Sequence, residues 1–569
     1  MGEFLFQYQR VHPVSWVYVS SLMMIALYFK FSRFWSVRNL DLLLLILLSP
    51  GLLLVYFGDA IERGEYALDD MKLAAKSESE IDSSVNVANP LSVEIGSTAD
   101  ETETGGFSED ALFPPEDEGL TVPEGDLTIV DTAPSSASQV DGTLDASGVA
   151  AVVAEERTSQ SSRTDSGDPL IERIVHGGRV RQWGYHLLIC SGGLLLVRLL
   201  LDPIMVRRPL LEPNLTVGGL AFLAGSLFVF LMANVINGNP SEDDLIGAKR
   251  AVDIIKGEET NVVDDSLKRH GPGYQILNLM PAITTITLVR NNDGLDRTEE
   301  TQIRYAATAK TMAIISHLAI VVGLVIVGYR HFDNIRMGIG AAALYLMLPY
   351  TSQHTGRVDH VMPAALLVWA ILCYRRPSLA GIFVGLAIGA VYYPLFLLPL
   401  WISFYWQRGL MRFMAGVVVT LVIMVVSLGL TSGSWEVFLS QLQQMFGLWL
   451  PHQEGLGGIW RDYSVDGVPE WDPVYRMPVL VAFVVLSMAL AIWPAQKNLG
   501  TLISCSAAVM LATQFWHGFG GGLYVAWYLP LLLLTIFRPN LEDRVALAVL
   551  GVGWFPRRRA IVESVDQAA

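Results

Sequence analysis

MGIGAAALYLMLPY (Met337–Tyr350), TSQHTGRVDH (Thr351–His360), VMPAALLVWAILCY (Val361–Tyr374), RRPS (Arg375–Ser378) and an apolar run ending in QRGLMR (Gln407–Arg412) follow one another in mid-chain. Apolar stretches alternate with one short polar loop that carries His354, Arg357, Asp359 and His360. The loop is expected on one side of a bilayer and the arginine pairs on the other. Ionisable groups against lipid need a reason, usually a polar substrate or a headgroup.

Outward from this block the pattern repeats. The chain has 569 residues, 52% of them hydrophobic, and a mean hydropathy of +0.41, too apolar for an ordinary soluble domain. LDLLLLILLSPGLLLVYF, GGLAFLAGSLFVFLMANVI, AIISHLAIVVGLVIVGY and VLVAFVVLSMALAIW all approach the roughly 20 residues needed to cross the hydrocarbon layer. They are too long and uniformly apolar for barrel strands. The fold class is therefore all-α, a polytopic helical membrane bundle of about 11–13 transmembrane helices, with ordered outer loops and one disordered acidic insertion.

The spans read near 14–30, 39–57, 183–201, 216–236, 311–329, 337–350, 360–374, 379–392, 394–407, 413–431, 477–494, 499–515 and 522–537. Tyr392-Tyr393-Pro394 interrupts the run between 379 and 407, where a kinked helix or a hairpin would fit. Arg375-Arg376 before it and Arg408 with Arg412 after it should share a side, which selects the hairpin. The short loops 30–38, 202–214, 330–336, 375–378, 408–412 and 495–498, and the tail with Arg557, Arg558 and Arg559, are basic and fall on one side. That side is expected to be the cytosol, in a multi-pass protein of the cytoplasmic membrane.

Domains follow as an N-terminal hairpin (1–60), an acidic outer loop (61–180), a second hairpin (181–236), a membrane-hugging outer loop (237–310), a transmembrane core (311–431), an outer loop (432–476), C-terminal helices (477–538) and a cytoplasmic tail (539–569). The formal charge of −16 comes mostly from one tract: no Lys or Arg occurs between 77 and 156. Such a sequence buries too little apolar surface to offset its ordering entropy, so 77–168 is expected to be a disordered tether. DDLIGAKRAVDIIKG has the spacing of an amphipathic helix, and LNLMPAITT of a segment lying on or re-entering the membrane. WEVFLSQLQQMFGLWL reads as an interfacial helix. Cys190, Cys373 and Cys505 all lie in apolar spans, as small buried side chains. Neither a cleavable signal peptide nor myristoylation is expected at the N-terminus.

No phosphate-binding glycine loop, zinc-protease motif, nucleophile elbow or dinucleotide fingerprint is present, and no nucleic-acid partner is implied. Carboxylates and histidines at the outer surface carry the candidate chemistry. Glu242-Asp243-Asp244 can cap a helix, deprotonate a sugar hydroxyl, or hold a divalent cation such as magnesium or manganese; the metal question stays open. In HTGRVDH, Arg357 suits a phosphate, and Asp359, His354 or His360 an acid–base role. Asp59, at the mouth of the second span, His270, His452 and His517 would gain weight if they converged.

RRPSLAGIFVGLAIG, YYPLFLLPLW with Tyr393, and QRG, together with WHGFGGGLYVAWYLPLLLL around His517, resemble GT-C type integral membrane glycosyltransferases, especially the bacterial mannosyltransferase-like group. The resemblance implies a polyprenyl-phosphate sugar donor, membrane lipid as surroundings, and an Asp or Glu in the first outer loop as base. That acid is Asp243 or Asp244 if the core begins at 216, and Asp59 if it begins at the second span. The expected reaction is inverting sugar transfer on the outer face of the membrane. Two other classes stay open: a transporter or lipid flippase, which would need ionisable groups in mid-span such as His317, and a non-catalytic scaffold. The sugar, the acceptor and the oligomeric state are not legible.

Overall fold

The computed structural model describes residues 11–64, 169–205, 211–257, 270–289, 297–407, 409–445, 457–460, 473–495 and 497–539. The acidic insertion from 65 to 168, His452, Lys268, Arg269, Arg461, Arg408 and the basic tail lie outside them. The chain divides into two units, Met1–Arg63 with Arg173–Ala569, and Gly64–Glu172. Of the second, only Gly64 and the start of one helix are described.

The described residues are helical, with no strand element among them. Two helices, α1 (Pro13–Tyr28) and α2 (Val37–Glu62), are followed by α3 (Pro169–Leu201) and α4 (Val217–Asn237). Next come α5 (Glu242–Lys256), α6 (Pro272–Val289) and the long α7 (Arg297–His331). The central block supplies α8 (Ile335–Met347), α9 (Pro349–Gln353), α10 (Val358–Leu372), α11 (Pro377–Ala390), α12 (Leu398–Tyr405) and α13 (Leu410–Thr431). The chain continues through α14 (Trp435–Met445), α15 (Arg476–Ile492), α16 (Leu499–Ala512) and α17 (Leu529–Phe537). Among the described residues, five stretches can cross a membrane by length and composition: Val37–Glu62, Val175–Ile204, Val217–Asn237, Glu299–His331 and Leu410–Thr431.

The remaining apolar helices are shorter, and their shortness builds the site. The 13, 14 and 15 residues of α8, α11 and α10 extend only about 20–22 Å at 1.5 Å per residue. A hydrocarbon core is about 30 Å thick. Their far ends therefore stop inside the bundle beside the full-length helices. Around Tyr392 the chain doubles back. Gly409 returns against Pro377, so that an added Cβ would lie 2.7 Å from the proline Cγ, and Gly385 packs on Val417 and Thr420. Helices α11 and α13 thus run parallel, with α12 between them in sequence as the return limb, which is the hairpin geometry. Glycines at 381, 385 and 389 let these backbones approach as lipid-embedded helices do.

Described parts of several basic loops gather at one end. Arg38 donates to the carbonyls of Tyr28 and Glu212 (2.9 and 2.7 Å), and Arg336 to those of Pro213 and Leu215 (both 2.8 Å through Nη2). Arg538 meets Asp202 at the same end. The opposite end holds a small three-helix annex. In it α5, α6 and α7 bury Ala251, Val252, Ala282 and Tyr305 together. Tyr305 donates to Asp253 at 3.0 Å, and the hydroxyls of Thr285 and Thr308 lie 2.7 Å apart. Helix α7 starts at 297, well before the span expected from 311, because these polar residues hold its first turns against the annex.

Candidate active site

Helix α5 begins with SEDD, and its first turn places acids where the dipole favours them. Ser241 donates from its hydroxyl (2.7 Å) and its backbone N–H (3.2 Å) to Asp244 Oδ2. Gly257, at φ 72°, closes the far end in the left-handed region that glycine favours. The cap and a site role coexist, because Asp244 Oδ1 points elsewhere. It lies 3.2 Å from Arg357 Nε, yet this buried oxygen has no hydrogen-bond partner with proper alignment.

Arg357 caps the start of α10, whose first turn carries Asp359 and His360. Its guanidinium reaches Asp359 with both Nε and Nη2 at 3.3 Å, and Asp243 at 4.0 Å. Three acids thus face one arginine. Asp359 first, and Asp244 after it, push the Arg357 guanidinium further up, against the effect of burial. Burial pushes Asp244 up to about 6, with the Asp359 charge adding to the rise and Arg357 and Ser241 opposing it.

Behind the acids lies a bed of rings. Tyr350 Oη bonds to His360 Nδ1, and His360 Nε2 is 3.8 Å from Asp359. His354 stacks on Tyr350 (4.7 Å), and His360 is tilted against Tyr524 (4.2 Å). From Tyr524 the contacts pass to His517 (4.4 Å) and on to Tyr393 (4.6 Å). Trp527 packs against Tyr393 and donates from Nε1 to the Asp359 carbonyl at 3.0 Å. His517 sits in a glycine-rich turn with Gly520 and Gly522 at φ 87° and 91°. A neighbouring loop docks there: Gly457 donates to the Gly518 carbonyl at 2.6 Å, and Trp460 to that of Phe515 at 3.0 Å.

The loop 351–359 is thus recessed, not spread on the surface. Thr351, Thr355, Asp359 and His360 are all buried. His317, about 21 Å along α7 from its end, meets the Thr355 carbonyl with Nε2 and the Tyr345 hydroxyl with Nδ1, both at 3.0 Å. Since a carbonyl only accepts, Nε2 carries the proton and Tyr345 donates to Nδ1. His317 is a brace for the loop.

Of the residues expected from sequence, the structure brings together Asp243, Asp244, Asp359, Arg357, His354, His360, Tyr393 and His517. Asp59 is held elsewhere, by Arg181 at 2.8 Å with Glu62 alongside. His270 joins from the turn before α6. It is buried against Tyr274 (4.0 Å), helps to hold the Asp359 charge, and is positioned by Gly271 donating to the Ala390 carbonyl at 2.8 Å. The tyrosines 274, 350 and 524 and Trp527 were not anticipated: an aromatic residue in an apolar run looks like core until its neighbours are known. No group of three or more His, Cys, Asp or Glu among the described residues is arranged to hold a metal ion. The three aspartates converge on a guanidinium, where a divalent cation would have to sit, so the donor set does not fit one as arranged.

Residues 301–516 match the family model of glycosyltransferase family 87. That is a family of GT-C type membrane glycosyltransferases, so over this stretch the chain is similar to such enzymes, in keeping with the resemblance read from 337–412. The matched stretch includes Arg357, Asp359, both loop histidines and Tyr393, and stops before His517; Asp243 and Asp244 precede it. No curated protein matches the chain.

Proposed function

We propose that the protein transfers a sugar from a polyprenyl-phosphate donor to an acceptor hydroxyl on the outer face of the cytoplasmic membrane. One observation carries the chemistry: Asp244 Oδ1 is buried, lacks an aligned hydrogen bond, and belongs to a carboxyl that burial pushes up to about 6. A base poised near the working pH takes a proton most effectively. The acceptor oxygen attacks the anomeric carbon and its proton passes to Asp244. The bond from that carbon to the phosphate oxygen breaks, and its electron pair leaves with the lipid phosphate. Attack opposite the leaving group inverts the anomeric centre. Asp359 and Arg357 hold the cluster in place, and the ring bed of His354, His360, Tyr524, His517 and Tyr393 offers apolar faces and polar edges to a pyranose.

Purified protein in vesicles, supplied with radiolabelled polyprenyl-phosphate hexoses and a membrane lipid extract as acceptor, tests this. Label should pass to an acceptor with wild type and not with Asp244→Asn. Transfer from soluble sugar nucleotides but not from the lipid donors would overturn the donor, and full activity of Asp244→Asn the base.

A further inference from the structure

Two buried polar atoms at the site lack hydrogen-bond partners among the described residues, and they are of different kinds. One is Asp244 Oδ1, an acceptor, and the other is Tyr274 Oη, which can donate. Asp244 is 6% and Tyr274 3% exposed. Both stand on the pair α5 and α6. Gly247 follows Asp244 by three residues and shares its face of α5. The Tyr274 ring lies against that glycine: an added Cβ would be 2.5 Å from Tyr274 Cε1, the atom next to the carbon that bears the hydroxyl. His270 stacks on the ring at 4.0 Å, and Asn278 Nδ2 donates to the Tyr274 carbonyl at 2.8 Å, so the side chain is held against α5 from behind. Burial, and after it the charges of Asp359 and Asp244, push this hydroxyl well above the ordinary tyrosine range, with Arg357 opposing. Tyr274 therefore keeps its proton and acts as a donor within reach of the acids.

A buried hydroxyl without a partner destabilises the fold that carries it, and native proteins hold few of them. An unmet acceptor and an unmet donor beside one helix face suit a group that gives one hydrogen bond and takes another. An alcohol does both. A fully ionised phosphate has no proton to give Asp244, and an ammonium has no lone pair for Tyr274. We infer that Tyr274 and Asp244 together form the subsite for the acceptor alcohol, with Tyr274 donating a hydrogen bond to the oxygen that attacks. That oxygen has two lone pairs: one accepts from Tyr274 Oη, and the other forms the bond to the anomeric carbon. Its proton passes to Asp244 Oδ1, while the bond to the donor phosphate breaks and its electron pair leaves with the phosphate. Tyr274 neither gains nor loses a proton. The inference deepens the proposed transfer and rests on that reading of the site.

Tyr274→Phe keeps the ring and removes only the oxygen, so two outcomes can be read without turnover. The ligand-free variant should unfold in detergent at the wild-type temperature or above it, because no partner is lost. A clear fall, or failure to fold, would reveal a structural partner and overturn the assignment. For binding, the full-length protein in lipid nanodiscs is titrated with octyl mannoside, octyl glucoside and octyl galactoside, and with their fully O-methylated counterparts, which cannot donate to Asp244. Wild type should bind at least one hydroxylated probe about tenfold more tightly than its methylated counterpart, and Tyr274→Phe should bind that probe about three- to tenfold more weakly than wild type does. No preference in wild type, or unchanged affinity in the variant, defeats the inference. Where wild type transfers sugar, Tyr274→Phe should raise the KM for the acceptor and leave the KM for the lipid-linked donor unchanged; a change confined to the donor KM also defeats it. Absence of transfer by wild type, with the hydroxyl preference present and weakened in Tyr274→Phe, would set aside the proposed reaction and keep the alcohol subsite.

Discussion

Two arginine–aspartate clusters sit at opposite ends of this bundle, and their charge ratios differ. At the basic end Arg198 holds Asp41 with Nε and Nη2 (2.6 and 3.0 Å) and Asp202 with Nη1 (3.2 Å), while Arg538 closes on Asp202. Two cations meet two anions there, and all four side chains are at most 11% exposed. At the other end one arginine faces three acids, and Asp243 is 46% exposed at the rim. The balanced cluster is closed and has the form of a structural clasp joining α2, α3 and the residue after α17. The second sets three acids against one arginine among the described residues, keeps an oxygen without an aligned hydrogen bond, and is exposed at its rim through Asp243. On the proposed function, the contrast puts stability at the first and chemistry at the second.

The largest effect that could break this contrast is on rate. Asp244→Asn preserves shape and is expected to lower sugar transfer by about 10²–10⁴-fold, the usual contribution of a general base, with thermal unfolding in detergent little changed. Retention of more than a tenth of the wild-type rate would move the chemistry away from Asp244. The reciprocal experiment is Asp202→Asn. Removing one partner of a buried pair costs about 3–5 kcal/mol, so unfolding should occur at clearly lower temperature, with the rate per folded molecule within twofold of wild type. A rate loss without destabilisation would erase the distinction between the two ends.

The pH dependence sharpens it further. Only the carboxylate form of Asp244 can accept a proton, so transfer should fall about tenfold per pH unit below about 6 and level off above it. Stability runs the other way. A carboxyl raised on folding favours the protonated fold, so that contribution is complete below the ordinary value of 3.8 and is lost as pH rises through about 6. A rate profile flat from pH 5 to 8 would contradict the assignment. The smallest effect is expected at Asp59, tied to Arg181 outside the cluster: Asp59→Asn should change transfer less than twofold in the same vesicle assay.

Much of the helical fold was legible because hydrophobicity and loop charge are local properties. The apolar runs, the hairpin at Tyr392–Pro394 and the amphipathic helix after SEDD follow from residues a few positions apart. The site was half legible. HTGRVDH and SEDD stood out as ionisable groups beside lipid, but nothing local ties Asp244 to Arg357, or His270 and His517 to Asp359. The part played by Tyr350, Tyr524 and Trp527 was hidden because rings at span ends also serve as interfacial anchors.

The sequence by itself determined that this chain lives in a membrane as a helical bundle, and which loops share a side, because backbone groups in lipid must be satisfied within helices and charge is asymmetric across the bilayer. Only the tertiary structure decided that α8, α10 and α11 stop short and let their connecting loops sink among the full-length helices. Recession buries Asp244 and Asp359 beside one guanidinium; burial pushes Asp244 up, while Arg357 and the nearby histidines hold Asp359 down against it. That environment is set by packing between segments far apart in the chain, which no local pattern records.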